Sequence, residues 1–176
     1  AGDTYYELEK LDSALILYKR ADDLDSKEPK VLRRIAQTYA GMKKFDKAFE
    51  VVWDAIDEDR KDAKNWLCLG NIYLAADSLD KASLYFTKAR ELDKNLPEAF
   101  IALGDLYYAQ RVYELSKDNY EQALSLDANN IEARTKLALS YYWLAQREMD
   151  YDKELANELF KKSLQEWNTI TKQDTM

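Results

Sequence analysis

The stretch NWLCLGNIY, residues 65–73, returns 34 residues later as AFIALGDLY, residues 99–107. Trp66 gives way to Phe100, while the leucine, the glycine and the tyrosine keep their places. Within each stretch the bulky and small residues recur every three to four positions, as they do on one face of an α-helix. Two such helices at a fixed distance along the chain indicate a repeated structural unit.

Tyrosines mark this period along the whole chain. They stand 34 residues apart, at Tyr5, Tyr39, Tyr73, Tyr107 and Tyr141. In the second half of each period, small residues also recur at helical spacing, and they predict a second helix. Proline, which is well tolerated at the first position of a helix, stands where new units begin, at Pro29 and Pro97. Because such helix pairs cannot bury their apolar faces alone, the pattern predicts an all-α chain of stacked units.

The composition is consistent with an all-α chain and narrows the function classes. The 176 residues include 4 glycines and 2 prolines, and no stretch alternates apolar and polar residues as a half-buried strand does. A net charge of −7 disfavours nucleic acid as a partner. We find no signal peptide and no apolar run near the roughly 18 residues of a membrane span, so the compartment stays open. The initial Ala predicts a fragment or a processed form.

Residues 66–73 resemble the first helix of a tetratricopeptide repeat, which carries Trp-x-x-Leu-Gly-x-x-Tyr within a 34-residue helix–turn–helix unit. Ala82, Phe86 and Ala89 match the Ala-x-x-x-Phe-x-x-Ala pattern of the second helix. The proline that usually ends the repeat is absent. The resemblance implies a right-handed α-solenoid of stacked helix–turn–helix repeats.

This register divides the chain into five repeats, which we expect to form one continuous solenoid. They are a truncated repeat one (1–28), repeat two (29–62), repeat three (63–96), repeat four (97–130), and an extended repeat five with a C-terminal cap (131–176). Six extra residues in repeat five predict two helices that are each longer by a little under one turn.

Two local features are predicted at helix ends. In the turn of repeat three, Asp77 and Ser78 are candidates for N-capping the second helix. The last helix is expected to pack an apolar stripe against the repeats, formed by Leu155, Leu159, Phe160, Leu164 and Trp167.

The residue types favour a protein that is not an enzyme and needs no cofactor or metal. Without histidine the chain has no Ser-His-Asp triad, no Cys-His pair and none of the commonest zinc sites. The acidic runs at 57–62 and 150–154 lack the glycine and glutamate of an EF-hand loop. Cys68 is interpreted as a packed side chain. Asp105, a lone acid without a nearby partner, receives no catalytic role.

The resemblance further implies that the chain binds a protein or peptide partner. In this family a concave groove, lined by the first helix of each repeat, binds extended or helical peptides. Carried onto this sequence, the groove residues are Lys30, Arg33 and Gln37 in repeat two, Lys64, Leu67, Asn71 and Leu74 in repeat three, Ile101, Asp105 and Tyr108 in repeat four, and Leu139 and Tyr142 in repeat five. The same positions add Asp3, Tyr6 and Glu7 in repeat one, Ala40 in repeat two, Glu98 in repeat four, and Glu132, Thr135 and Trp143 in repeat five.

Charges in this set are segregated along the chain. Lys30, Arg33 and Lys64 lie in its N-terminal half and Glu98, Asp105 and Glu132 in its C-terminal half, which predicts a ligand with its acidic end near repeat two. One subclass of the family clamps the C-terminal carboxylate of chaperones with lysines, asparagines and an arginine. That clamp is not present, because other residues occupy its key positions, among them Cys68, Glu98 and Ala102.

A structural or self-associating module is the alternative function. The truncated first repeat leaves apolar residues without a preceding repeat to cover them, namely Tyr5, Leu8, Leu11 and Leu15. Because terminal repeats normally need a polar cap, this end of the chain is a candidate for self-association. The identity of any partner is not determined by the sequence.

Overall fold

The computed structural model describes residues 2–7, 10–24 and 28–173. Every regular element within these residues is an α-helix, which confirms the all-α prediction. The helices are α1 (Gly2–Glu7), α2 (Leu11–Leu24), α3 (Pro29–Gly41), α4 (Phe45–Glu58), α5 (Ala63–Ala75), α6 (Leu79–Leu92), α7 (Pro97–Ala109), α8 (Tyr113–Leu126), α9 (Ile131–Glu148) and α10 (Lys153–Gln173).

The helices form two compact units. The first unit, Ala1–Asp93, contains α1 to α6, and the second, Lys94–Met176, contains α7 to α10. Each unit has an apolar core made by successive helix pairs. Leu69 and Ile72 are among the most buried residues of the first core, and Tyr120 and Leu137 belong to the second.

Close packing within a helix pair explains the glycines of the repeat. A Cβ atom placed on Gly70 would lie 2.5 Å from the Phe86 ring, and one on Gly104 would lie 2.6 Å from the Tyr120 ring. Real side chains do not tolerate such contacts, so the ring of the second helix requires glycine in the first. The small and aromatic positions of the repeat are therefore a matched pair.

The turns inside repeats two, three and four share one backbone conformation. Lys43, Asp77 and Arg111 have φ of 59°, 58° and 61°, and they stand 34 residues apart. In each turn the next N–H bonds the carbonyl five residues back, as from Ser78 to Tyr73 at 2.8 Å, which is a Schellman motif. Of the two residues predicted to cap α6, Ser78 stands at the N-cap position but its side chain makes no capping hydrogen bond, and Asp77 is the left-handed residue in the turn after α5.

The extra residues of repeat five are not shared between its helices as predicted. The helix α9 has 18 residues where α3, α5 and α7 have 13, a difference of five. The turn to α10 takes the sixth, because residues 149–152 replace the three-residue turns of the other repeats. Lys153 begins α10 in the usual register, and its added length lies at its C-terminal end.

The packed face of α10 matches the predicted stripe only in part. Leu155, Leu164 and Trp167 keep 40%, 59% and 38% of their surface exposed. The residues that α10 buries are Ala156, Ser163 and Ile170, and Ser163 donates a 2.8 Å hydrogen bond to the carbonyl of Ala138. Two residues of the predicted stripe are half-buried: Leu159 packs against the core of the second unit, and the Phe160 ring lies 5.8 Å from the Tyr142 ring. The small residues Ala156 and Ser163 allow α10 to approach α9 closely.

Candidate functional site: two clefts on the first helices

A cleft of about 390 Å³ lies on the first helices of the first unit. We call it the first-helix cleft; α1, α3 and α5 line it through Tyr6, Arg34, Gln37, Ala40, Gly41, Asn71, Ile72 and Ala75. Four of the predicted groove residues meet here: Gln37 and Ala40 of repeat two, Asn71 of repeat three and Tyr6 of repeat one. The small residues Ala40, Gly41 and Ala75 leave room above the helices for a segment of chain.

Arg34 fixes one side of this cleft. Its Nε lies 2.9 Å from Oδ1 of Asp3, and its Nη1 donates a weak 3.4 Å hydrogen bond to Oε1 of Gln37. Asp3 also accepts a 2.6 Å hydrogen bond from the Tyr18 hydroxyl. That hydrogen bond and then the charge of Arg34 lower the pKa of Asp3. Arg34 is therefore partly neutralised, and its contact with Gln37 is at the limit of hydrogen-bond distance.

Asn71 contributes an unused amide to the cleft. It is exposed, and its side chain makes no hydrogen bond with any residue that the structure describes. An amide group offers one acceptor oxygen and two donor hydrogens. Gln37, whose oxygen already accepts from Arg34, keeps its donors available. The two amides thus present both donors and acceptors to the cleft.

Arg33 is not a free groove cation, contrary to the role predicted for it. Its Nη1 lies 2.5 Å from Oδ2 of Asp62 and 2.6 Å from Oδ1 of Asn65, and only 14% of its side chain is exposed. The amide nitrogen of Asn65 in turn donates to the carbonyls of Ala55 and Asp59, each at 2.8 Å. Arg33 therefore ties α3 to the turn before α5.

The other predicted residues of the first unit divide by burial. Lys30 and Lys64 are exposed, whereas Leu67 and Leu74 are half-buried. None of the four lines the first-helix cleft. Tyr5, Glu7 and Leu8 lie outside the residues whose side chains the structure describes.

Asp105 in the second unit is closely partnered, so its interpretation as a lone acid is wrong. It accepts a 2.6 Å hydrogen bond from the Tyr120 hydroxyl, and both its oxygens lie 2.8 Å from Nζ of Lys136. Lys136 also pairs with Glu132 at 2.8 Å. Because Arg33, Asp105 and Glu132 are neutralised within the fold, they do not support the predicted polarity of a ligand.

A second cleft, of about 640 Å³, lies between the turn that joins α7 to α8 and the end of α9. We call it the aromatic cleft. Its main lining residues are Tyr108, Arg111, Tyr113, Trp143, Gln146 and Arg147. Tyr108 and Trp143 are the two predicted groove residues that line it. Of the others in this unit, Ile101 packs against the core, Leu139 is half-buried, and Tyr142 is 40% exposed.

Sequence reasoning missed Arg34 and Lys136, and it named Tyr108 and Trp143 without indicating that they line a cleft of their own. A signal for the two cations exists: in repeats one and four a carboxylate is followed 15 residues later by a tyrosine and 16 residues after that by a cation. These are Asp3, Tyr18 and Arg34 in one case and Asp105, Tyr120 and Lys136 in the other. The cleft left no such signal, because it depends on how the added turn of α9 is placed.

The described residues show few side chains with the features of a nucleophile or a metal ligand. Cys68 is 1% exposed, and burial raises the pKa of its thiol to about 12, so the nucleophilic thiolate is not formed near neutral pH. No group of three acidic, cysteine or histidine side chains in the described ranges could hold a metal ion. Nor does any described helix combine the length and the apolar character of a membrane crossing.

Comparison with known proteins identifies the repeat and the fold. The sequence model of the tetratricopeptide repeat matches residues 97–130. No curated protein matches the chain. The crystal structure of MamA is similar with a TM-score of 0.68 at 22% identity, over 98% of this chain and 97% of that one.

Two further structures have the same fold. TTC0263, a thermophilic TPR protein in Thermus thermophilus, gives a TM-score of 0.69 at 20% identity, over 93% of this chain and 95% of its own. The first TPR of Spaghetti (RPAP3), bound to the HSP90 peptide SRMEEVD, gives 0.62 at 24% identity, over 68% of this chain and 98% of its own.

Proposed function

Since the chain has the α-solenoid fold and the repeat sequence of tetratricopeptide-repeat proteins, as its resemblance to them predicted, we propose that it is a protein-interaction scaffold. Its first-helix cleft binds an extended segment of a partner protein. The observation that carries this proposal is the pair of amides, Gln37 and Asn71, in one cleft with small residues beside them.

The chemistry of the cleft suits a peptide backbone. An extended segment carries a donor and an acceptor on each residue, and both need partners when they leave water. Asn71, with its unused amide, can donate to a peptide carbonyl and accept from a peptide N–H, and Gln37 can donate beside it. Tyr6 supplies a half-buried ring at the edge of the cleft for an apolar side chain of the segment.

A structural relative supports peptide binding in general, but the ligand that we propose for this chain is of a different kind. The RPAP3 repeat domain is bound to an HSP90 peptide. In this chain Cys68, Glu98 and Ala102 stand at clamp positions, and Cys68 is buried. Main-chain recognition by the two amides therefore takes the place of carboxylate recognition by a clamp.

Selection from displayed random 12-residue peptides tests the proposal. Peptides enriched on the wild-type protein are then titrated against the Asn71→Ala and Gln37→Ala variants. We expect each variant to weaken binding by about tenfold, because each hydrogen bond lost to a desolvated amide costs about 1–1.5 kcal/mol. Asn157→Ala, which removes an exposed amide from α10, is the matched control and leaves the affinity unchanged. If no enriched peptide depends on Asn71 or Gln37, the proposed groove is wrong.

A second candidate function, self-association, is favoured by the outer face of α10. Leu164 and Trp167 stand three positions apart and keep 59% and 38% of their surface exposed. Exposed apolar neighbours of this kind are typical of contact surfaces. Sedimentation velocity at two protein concentrations tests this function: we expect a dimer that the Leu164→Glu and Trp167→Glu substitutions abolish. A monomer at both concentrations contradicts it.

A further inference from the structure

We propose that the added turn of α9 builds a second binding site, the aromatic cleft, and that this site takes an acidic, proline-containing segment of a partner protein. It is separate from the first-helix cleft in residues and in ligand chemistry. The proposal therefore stands or falls independently of the peptide site described above.

The site depends on the length of α9. Trp143 is the thirteenth residue of α9, the position at which α3, α5 and α7 end. Gln146 and Arg147 therefore lie entirely in the added turn. Arg147 holds this turn against the start of α8 through an ion pair with Glu114, and it also pairs with Glu148 at 2.8 Å. The added turn thus forms a fixed wall opposite the α7–α8 turn.

Three rings form the apolar surface of the cleft. Tyr113 and Trp143 are stacked, with 14° between their planes and 6.1 Å between their centroids, and Tyr108 meets Tyr113 edge-on at 5.6 Å. The Trp143 indole N–H donates a 2.9 Å hydrogen bond to the Tyr108 hydroxyl. These contacts fix the orientation of the rings before any ligand binds, which lowers the entropy cost of binding.

The spacing of the rings argues against a cage for a cation. A guest held between two rings needs about 7 Å, twice the van der Waals contact distance, and Tyr113 and Trp143 are closer than that. They present a continuous face instead of a slot. The charge at the cleft also argues against a cationic ligand. Arg147 is neutralised by its two glutamates, whereas Arg111 is exposed and makes no ion pair with any residue in the described ranges.

A flat aromatic face, free hydrogen-bond donors and one unpaired cation together specify the ligand. Proline-rich segments adopt an extended helix without internal hydrogen bonds, and they dock on surfaces of Tyr and Trp. Their carbonyls need donors, which the Tyr108 hydroxyl and the Gln146 amide can supply, since Tyr108 uses its oxygen, not its proton, for Trp143. An Asp or Glu beside the proline would then meet Arg111.

The test uses the whole chain and the same displayed library of random 12-residue peptides. We expect a class of enriched peptides that contain proline next to Asp or Glu and that are lost when selection is repeated on Trp143→Ala. In titration, Trp143→Ala weakens these peptides at least tenfold, and Arg111→Glu weakens them by a factor that shrinks in high salt. Trp53→Ala removes a tryptophan of nearly equal exposure, 39% against 41%, from the first unit and leaves their affinity unchanged.

Two further variants keep the result interpretable. Trp143→Phe retains a ring while losing the hydrogen bond to Tyr108, so it keeps most of the affinity and guards against a folding defect in Trp143→Ala. Asn71→Ala leaves this peptide class unaffected, which separates it from ligands of the first-helix cleft. The proposal is overturned if no enriched peptide depends on Trp143, or if the peptides that do depend on it lack proline or acidic residues.

Discussion

The junction between repeats one and two resembles the junction between repeats four and five, whereas the junction between repeats two and three is different. In the first two, a first-helix carboxylate accepts from a second-helix tyrosine and pairs with a cation of the next repeat, in the triads Asp3–Tyr18–Arg34 and Asp105–Tyr120–Lys136. Between repeats two and three the same positions hold Gln37, Val52 and Cys68, which cannot form such a triad.

The residue in the second helix thus decides whether the polar residue of the first helix is bonded to that second helix. Where a tyrosine hydroxyl is present, the polar residue of the first helix is used inside the fold. In repeats two and three that position holds Val52 and Phe86, which have no hydroxyl, and there Gln37 and Asn71 line the first-helix cleft. An identical repeat position is therefore structural in one repeat and available for binding in another.

The two triads also differ in burial. Tyr120 is fully buried, and Lys136 and Asp105 are 29% and 35% exposed. In the other triad Arg34 and Asp3 are 42% and 58% exposed. Water screens charges and competes for hydrogen bonds, so the more buried triad is expected to contribute more to stability.

The largest expected effect is a difference in stability between substitutions of two amides, one that is hydrogen-bonded within the fold and one that is not. Asn65→Leu removes the amide that donates to the Ala55 and Asp59 carbonyls and accepts from Arg33, which then keeps Asp62 as its partner; we expect the loss of these three hydrogen bonds to cost about 3 kcal/mol of unfolding free energy. Asn71→Leu removes an exposed amide and changes the stability by less than about 0.5 kcal/mol. Urea denaturation of both variants measures the difference. Equal losses would contradict the assignment of the two amides.

The next effect compares the two triads directly. Tyr120→Phe removes a buried hydroxyl that bonds a carboxylate, and we expect it to cost about 2 kcal/mol; Tyr18→Phe, at the more exposed triad, costs about 1 kcal/mol. Thermal and urea unfolding provide the values. If Tyr18→Phe is the more costly substitution, burial is not what sets the strength of the triad.

Alkaline pH tests the same triad without a change in packing. Burial and the hydrogen bond to Asp105 raise the pKa of Tyr120 above its ordinary value near 10. The unfolded chain loses this proton first, so its contribution to stability is complete below pH 10 and declines above it. Unfolding free energies at pH 10 and 11 should fall less steeply in Tyr120→Phe, by up to about 1.4 kcal/mol per pH unit. Parallel curves for the two proteins would refute this.

The smallest effect concerns the turns inside repeats two, three and four, which share one backbone conformation. Lys43 holds a φ of 59°, which glycine adopts without strain, so Lys43→Gly should stabilise the protein by about 0.5–1 kcal/mol. Lys44→Gly, at a φ of −89°, is the adjacent control and brings no gain. The shift in melting temperature measures both. A destabilised Lys43→Gly would show that the lysine side chain contributes more than the turn conformation costs.

Local spacing explains how much of the fold was predictable. Residues three and four positions apart share a helix face whatever surrounds them, so the helix pairs and the starts at Pro29 and Pro97 were readable. The pairing of Gly70 with Phe86 was also predictable, because a large side chain on one packed helix leaves room only for a small residue on the other. The extra residues of repeat five were counted correctly, but their division between α9 and the turn was not, since both divisions satisfy the same helical period.

The candidate site was less predictable than the fold. Gln37 and Asn71 were named from their repeat positions, but so were Arg33 and Asp105, which the structure shows to be engaged elsewhere. Nothing in the spacing of a single helix distinguishes these two pairs. The distinction rests on partners 15 to 32 residues away, such as Tyr120 and Asn65.

The sequence by itself determined the period, the helices, and the matched small and large residues within each pair. All of these follow from interactions over a few residues or from a repeat of 34. Only the tertiary structure decided which polar side chains are consumed by the fold and that the added turn of α9 creates an aromatic cleft. Those outcomes depend on which side chains meet across different helices, and the free energy of a buried polar group depends on the partner it finds there.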